Sequence, residues 1–178
     1  MKAARLLLAA ATVCAGASLL AAPTAPVTVH DTMAGIVDPA ADVVWEITNR
    51  NVDDLGYGAA DKYAAGDWAR LYAASSDIRR GAAIIANAPR LRAAAPGAKI
   101  ADQDQPGATN AADVQRRIDS DPKSIRAHAR NLAALAADLE QAAVRRDAKT
   151  AQDLAGALDG ACEACHLQYW YYNQEPVK

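Results

Sequence analysis

The chain has 178 residues, 46 of them alanine, no phenylalanine, and a formal net charge of −2. That length suits one domain; a 52% apolar content excludes a fully disordered chain, and sparse β-branched and aromatic residues argue against a strand-rich sandwich. Alanine excess with few Gly and Pro residues favours helices, but alanine buries little area, so such a core is thin unless a group other than an amino acid helps to fill it.

The first segment reads as an export signal. Lys2 and Arg5 precede the uncharged apolar run from Leu6 to Ala22, which offers small residues for cleavage anywhere from Ala17 to Ala25. The run is short and alanine-rich for a membrane span, so no stable membrane insertion is expected. Cys14 lies inside it and is lost with it. The expected organisation is a signal peptide over residues 1–22 and one domain over 23–178. Without Lys2 and Arg5 the chain keeps 17 basic and 21 acidic side chains, a net charge of −4. That balance disfavours a nucleic-acid partner.

Four main helices follow. The first spans roughly Val27 to Asn51, with Met33, Ile36 or Val37, Ala40, Val44 and Ile47 at steps of three and four. Asp38-Pro39 predicts a kink or a restart, with Met33 on the short turn before it. The second starts at Asp61 or Asp67 and runs to Asn87, with Trp68, Leu71, Tyr72, Ser75, Ile78, Ala82 and Ile85 on one face. Residues 88–110, with Pro89, Pro96-Gly97 and Pro106-Gly107, read as a long loop. A short helix is expected around Ala111 to Ile118. The third main helix starts at Ser120 or Asp121, and Ile125, His128, Leu132, Leu135, Leu139 and Ala142 form its seam. Asp147 caps the fourth, whose seam runs through Leu154, Leu158, Ala161, Cys162, Cys165 and Tyr169. The expected fold is all-α, an antiparallel four-helix bundle.

Cys162-Glu163-Ala164-Cys165-His166 is a C-x-x-C-H motif, the spacing of a c-type haem attachment site. Two thiols one helical turn apart reach the two vinyl groups on one haem edge, and the next imidazole projects under the iron. The motif therefore predicts one covalent haem c, with Cys162 and Cys165 binding the cofactor and His166 ligating the metal. Three rivals use the same residues. A thioredoxin-like dithiol needs a strand before its helix, zinc needs further ligands such as His128 or His30, and a disulfide closing so small a loop adds little.

With this motif near the end of an exported helical chain, the sequence resembles the cytochrome c prime family of four-helix-bundle cytochromes. Asp38-Pro39-Ala40-Ala41-Asp42 leading to Trp45, Asp67-Trp68, and Ala161 to His166 followed by Tyr169 agree with it, over roughly Thr28 to Tyr172. The resemblance implies that the residue facing the distal side of the haem comes from the first helix. An apolar non-ligand there leaves a five-coordinate iron that binds small gases such as NO or CO; a methionine makes a low-spin electron carrier. Met33 lies in that part of the helix, and it is the only methionine besides Met1. His30 is the competing ligand, close to the expected mature N-terminus and exposed there to fraying.

His128 reads as a half-buried histidine hydrogen-bonded within the bundle. Tyr169 should pack inward, with some of Trp170, Tyr171 and Tyr172 covering the haem edge. The pairs Arg79-Arg80, Arg116-Arg117 and Arg145-Arg146 read as solvated helix surface. The expectation is a periplasmic electron-transfer cytochrome, monomer or homodimer, that meets redox partner proteins. No catalytic residue set points to an enzyme.

Overall fold

The computed structural model describes residues 26–171 apart from 102, 106 and 107. The expected signal peptide, Cys14, Pro106-Gly107 and Tyr172 lie outside the described residues.

The elements are almost all helical. A two-residue strand β1 (Val27–Thr28) leads into a short helix α1 (Val29–Thr32). A π-helical turn, Met33–Val37, joins α1 to α2 (Asp38–Arg50). Then come α3 (Asp67–Asn87), a second short strand β2 (Leu91–Arg92), α4 (Ala111–Ser120), α5 (Pro122–Arg145) and α6 (Ala148–Tyr169). No helix among the described residues is long and apolar enough to cross a membrane.

α2, α3, α5 and α6 form the bundle. α3 packs most extensively on α5, α5 on α6, and α2 closes the ring against α3 and α6. Cross-helix contacts give the directions. Glu46 and Arg50 of α2 meet Arg70 and Asp67 of α3. Arg79 of α3 meets Glu140 late in α5 while Arg126 early in α5 donates to the Ala88 carbonyl just after α3, and Ser124 near the start of α5 meets Gln168 near the end of α6. In each pair one helix rises as the other falls, so neighbours are antiparallel.

Local chemistry sets the helix ends. The side chains of Asp121 and Asp147 accept from the amides of Ser124 and Thr150 and cap α5 and α6. Between these helices Arg146 takes a left-handed conformation (φ 54°), while the Asp147 amide donates to the Ala142 carbonyl at 3.0 Å. That is the Schellman turn, which satisfies the last carbonyls of α5. Gly58, in the connector before α3, passes so near the start of α6 that a Cβ would lie 2.1 Å from the Ala148 carbonyl oxygen.

The expected break at Asp38-Pro39 takes a different form. The helical winding continues, and the Asp38 amide donates to the Met33 carbonyl five residues back. Pro39 has no amide, and its ring would press on the carbonyl of Gly35 in a regular α-helix. Widening the turn ahead of it relieves that clash without breaking the helix.

The core is built from small pieces, as the composition implies. Ile47, Leu71, Ile78, Leu139 and Leu158 are fully buried beside Ala82, Ala136, Ala142 and Ala151. The expected seams hold with adjustments. Tyr72 is exposed on α3, and α5 is rotated so that Ala136 is fully buried while Leu135 is only half-buried.

The long loop after α3 differs most from expectation. Val27 and Thr28 pair in parallel with Leu91 and Arg92. Leu91, Ala93, Ala94 and Ile100 join Val114, Ile118 and Ile125 in a second apolar cluster at one end of the bundle. Two-residue strands leave no alternation to read in the sequence, and the burial depends on α4 folding over the loop. Gln115 of α4 accepts from the Ala93 amide at 2.8 Å and clamps it there.

Candidate functional site

On α6 the residues Cys162, Cys165, His166 and Tyr169 stand at positions i, i+3, i+4 and i+7, which places them on one face of the helix. All four line a single cleft. The cleft has a volume of about 220 Å³ and opens to solvent.

The cleft lies where the two apolar clusters meet. Cys162 packs against the main bundle core and Cys165 against the cluster built by the loop and α4. Met33 touches both. Its position at the start of the π turn brings it to the cleft from the side of α1 and α2, together with His30. Ala82, Ile85, Val114, Ile125, Ala129 and Leu132 supply an apolar lining, half of it short side chains.

Burial pushes the Cys162 thiol up to about 11, with Asp159 and Asp38 adding to the shift. Burial likewise pushes Cys165 up to about 11, and Cys162 adds to it. Both thiols are free in the structure. At neutral pH they are protonated and poorly nucleophilic, the opposite of a reactive dithiol. The motif also sits near the end of α6, far from any strand-to-helix junction of the thioredoxin kind. Among the described residues no three His, Cys, Asp or Glu side chains gather as a metal cluster of their own.

His166 is half-buried, and the chain end folds around it. Its carbonyl accepts from the amides of Trp170 at 2.7 Å and Tyr171 at 2.8 Å. The Tyr171 ring meets the imidazole edge-on, with centroids 5.9 Å apart. Tyr169 is 3% exposed, and its hydroxyl donates to the Asp121 carbonyl at 3.3 Å. Trp170 and Tyr171 line the cleft, so the aromatic run divides as expected between core and cleft edge.

His128 also faces the cleft. Its Nε2 lies 2.7 Å from Gln168 Oε1, and Tyr169 packs edge-on against its ring at 6.3 Å. That matches the expected half-buried, hydrogen-bonded histidine. The expected fraying of His30 is corrected by the structure. Its amide donates to the Ala93 carbonyl at 2.9 Å, directly after the β1–β2 pairing. No local pattern signals this tether, because it is made by a loop more than sixty residues away. Among the arginine pairs, Arg79 meets buried Glu140, Arg80 meets Asp77, and Arg116 meets Asp113. Arg117 donates to the Gln168 carbonyl at 3.1 Å.

The donor set suits a haem of the c type. Two thiols one turn apart share a helix face with an imidazole, and a thioether reaches the same apolar cleft from another element. A plate-like, largely apolar cofactor needs such a wall of short side chains, and nothing among the lining residues adds a charge in its midst except Asp38 toward the α2 side.

Comparison with known proteins agrees with this chemistry. Searches among curated proteins and among solved structures returned no match. The family model described as Cytochrome C' matches residues 80–170, just over half of the chain. The match runs from the second half of α3 through the C-x-x-C-H motif and leaves out Met33, Asp38 to Trp45, and Asp67-Trp68. On that match, with a helical bundle and a C-x-x-C-H cleft behind it, the chain belongs to the Cytochrome C' family of haem c-binding proteins.

Proposed function

We propose that this protein is an exported, periplasmic monohaem cytochrome that carries electrons between redox partner proteins, as a monomer or homodimer. The observation that carries the reading is the meeting of Met33 with Cys162, Cys165 and His166 in one cleft. Cys162 and Cys165 would hold the haem through their thiols, each as a thioether to one vinyl group. His166 would hold the iron on the side of α6, and Met33 would hold it from the side of the first helical run. Haem c supplies an iron that cycles between the ferrous and ferric states.

The chain's own residues tune that cycle. A thioether paired with an imidazole raises the reduction potential relative to imidazole alone. Ligands held in both oxidation states keep the geometry change small, which suits outer-sphere transfer. Leu132, Ile125 and the alanines beside them keep water from the site. Trp170 and Tyr171 line the cleft beside His166 and would meet a partner that docks there.

The test is the optical spectrum of the purified protein in both oxidation states. A six-coordinate, low-spin spectrum that changes when Met33 is replaced is the expected result. A high-spin ferric spectrum unchanged by Met33→Ala, with rapid CO binding to the ferrous protein, would replace this reading with that of a five-coordinate gas-binding protein.

A further inference from the structure

His30 approaches the cleft from the same helical run as Met33, three residues earlier. Three features hold it there. Its amide is tied to the Ala93 carbonyl at 2.9 Å. Thr28 caps the turn by accepting from the Asp31 amide at 3.2 Å, and the Thr32 hydroxyl donates back to the Thr28 carbonyl at 2.8 Å. The side chain itself is 30% exposed, so it is neither sunk in the core nor loose in solvent.

The ring has a defined partner. His30 Nδ1 lies 3.0 Å from Asp31 Oδ1. A carboxylate accepting from one imidazole nitrogen fixes the tautomer and leaves the lone pair on the other, the arrangement found behind most metal-binding histidines. With Nδ1 so engaged, Nε2 is the nitrogen left for a metal.

We propose that His30 is a reserve axial ligand, which takes the sixth position on the haem iron whenever the Met33 thioether leaves it. This rests on the reading of the cleft as a haem site with Met33 as its distal ligand. Loss of the Met33 bond then does not open the iron to small gases; it yields a low-spin centre with two imidazole ligands, His30 and His166. Imidazole is the harder donor of the two, so His30 holds ferric iron more firmly than ferrous. The expected consequence is a fall in reduction potential.

The experiment uses holoprotein, with spin state read by optical and low-temperature electron paramagnetic resonance spectra. Met33→Leu keeps the packing volume and removes the thioether. It is expected to stay low-spin in the ferric state, with the signature of two nitrogen ligands. Met33→Leu combined with His30→Ala is expected to turn high-spin. His30→Ala alone is expected to keep the wild-type spectrum, and His30→Gln repeats it with less loss of polarity. A high-spin Met33→Leu protein would overturn the proposal, and so would a double variant that stays low-spin. Failure of the underlying reading shows separately: the wild-type protein would then lack covalent haem in a pyridine haemochrome assay, or its spectrum would not respond to Met33→Leu at all.

Discussion

Gly81 of α3 lies directly beneath Val37 of the π turn: a Cβ on Gly81 would stand 2.6 Å from Val37 Cγ2 and 3.2 Å from Ile36 Cγ2. The third helix thus supports the widened turn that begins with Met33. Val37 is 1% exposed, so it has little room to give way.

Gly81→Ala sets two effects against each other. Overpacking costs about 1–3 kcal/mol. Alanine gains about 1 kcal/mol over glycine in helix propensity. The clash wins by about 1 kcal/mol, which for a chain of this size lowers Tm by about 2–4 °C. Thermal unfolding followed by far-ultraviolet circular dichroism measures it, and a raised Tm would mean that the π turn yields freely. The spectrum of the same variant should also shift toward that of two nitrogen ligands, because the turn that must shift carries Met33.

Asp67 links the ends of α2 and α3. It is 3% exposed, pairs with Arg50, and accepts from the Ala64 amide at 2.9 Å and the Asn51 amide group at 3.2 Å. Burial alone would raise its pKa. The hydrogen bonds from Ala64 and Asn51 and the charge of Arg50 outweigh burial and hold it below the usual aspartate range. A depressed folded-state pKa means that this stabilisation is present above the unfolded value, about 4, and is lost as pH falls through the folded value. Asp67→Asn should therefore lose about 1–3 kcal/mol at neutral pH. Its denaturation curve should converge on that of the wild type in strong acid. A constant difference down to the lowest pH would show that the ionised form is not what matters.

Single and double cysteine variants test the attachment. Cys162→Ala and Cys165→Ala should each retain haem through one thioether on a denaturing gel stained for haem. The double variant should show none. If it still carries haem that survives acid-acetone extraction, the attachment lies elsewhere.

Removing the cofactor should loosen the whole cleft end of the molecule. Met33, Ile85, Val114, Ile125 and Leu132 line the cleft, and the second apolar cluster beside it is built largely from a loop and a short helix. The haem-free chain should keep helical far-ultraviolet circular dichroism but lose near-ultraviolet signal from Tyr169 and Trp170. A native-like near-ultraviolet spectrum would contradict that. It would mean that short side chains alone suffice to order the core.

Several parts of this protein were legible from sequence because they rest on local rules. The spacing of Cys162, Cys165 and His166 is a property of one helical turn, and any helix there places them on one face. Asp121-Pro122 and Asp147 mark helix starts through bonds to amides three residues away. The steps of Ile47, Leu71, Ile78, Leu139 and Leu158 mark four inward faces. The absence of phenylalanine pointed to a core needing something other than side chains, and the cleft between two apolar clusters is where that space lies.

Other parts depended on segments distant in the chain. The β1–β2 pairing joins residues more than sixty apart and carries no alternation pattern of its own. It decides that His30 is held at the cleft. Pro39 predicted a disturbance of the first helix, but the form of that disturbance was set by Gly81, which leaves room for Val37 in a widened turn. The burial of Ala93 and Ile100 required α4 above them. Sequence by itself determined which chemical groups are available and which helix face each occupies, because both follow from one helical turn. Only the tertiary structure decided that Met33, His30 and the C-x-x-C-H face share one cleft, because that depends on how four helices and one long loop pack together.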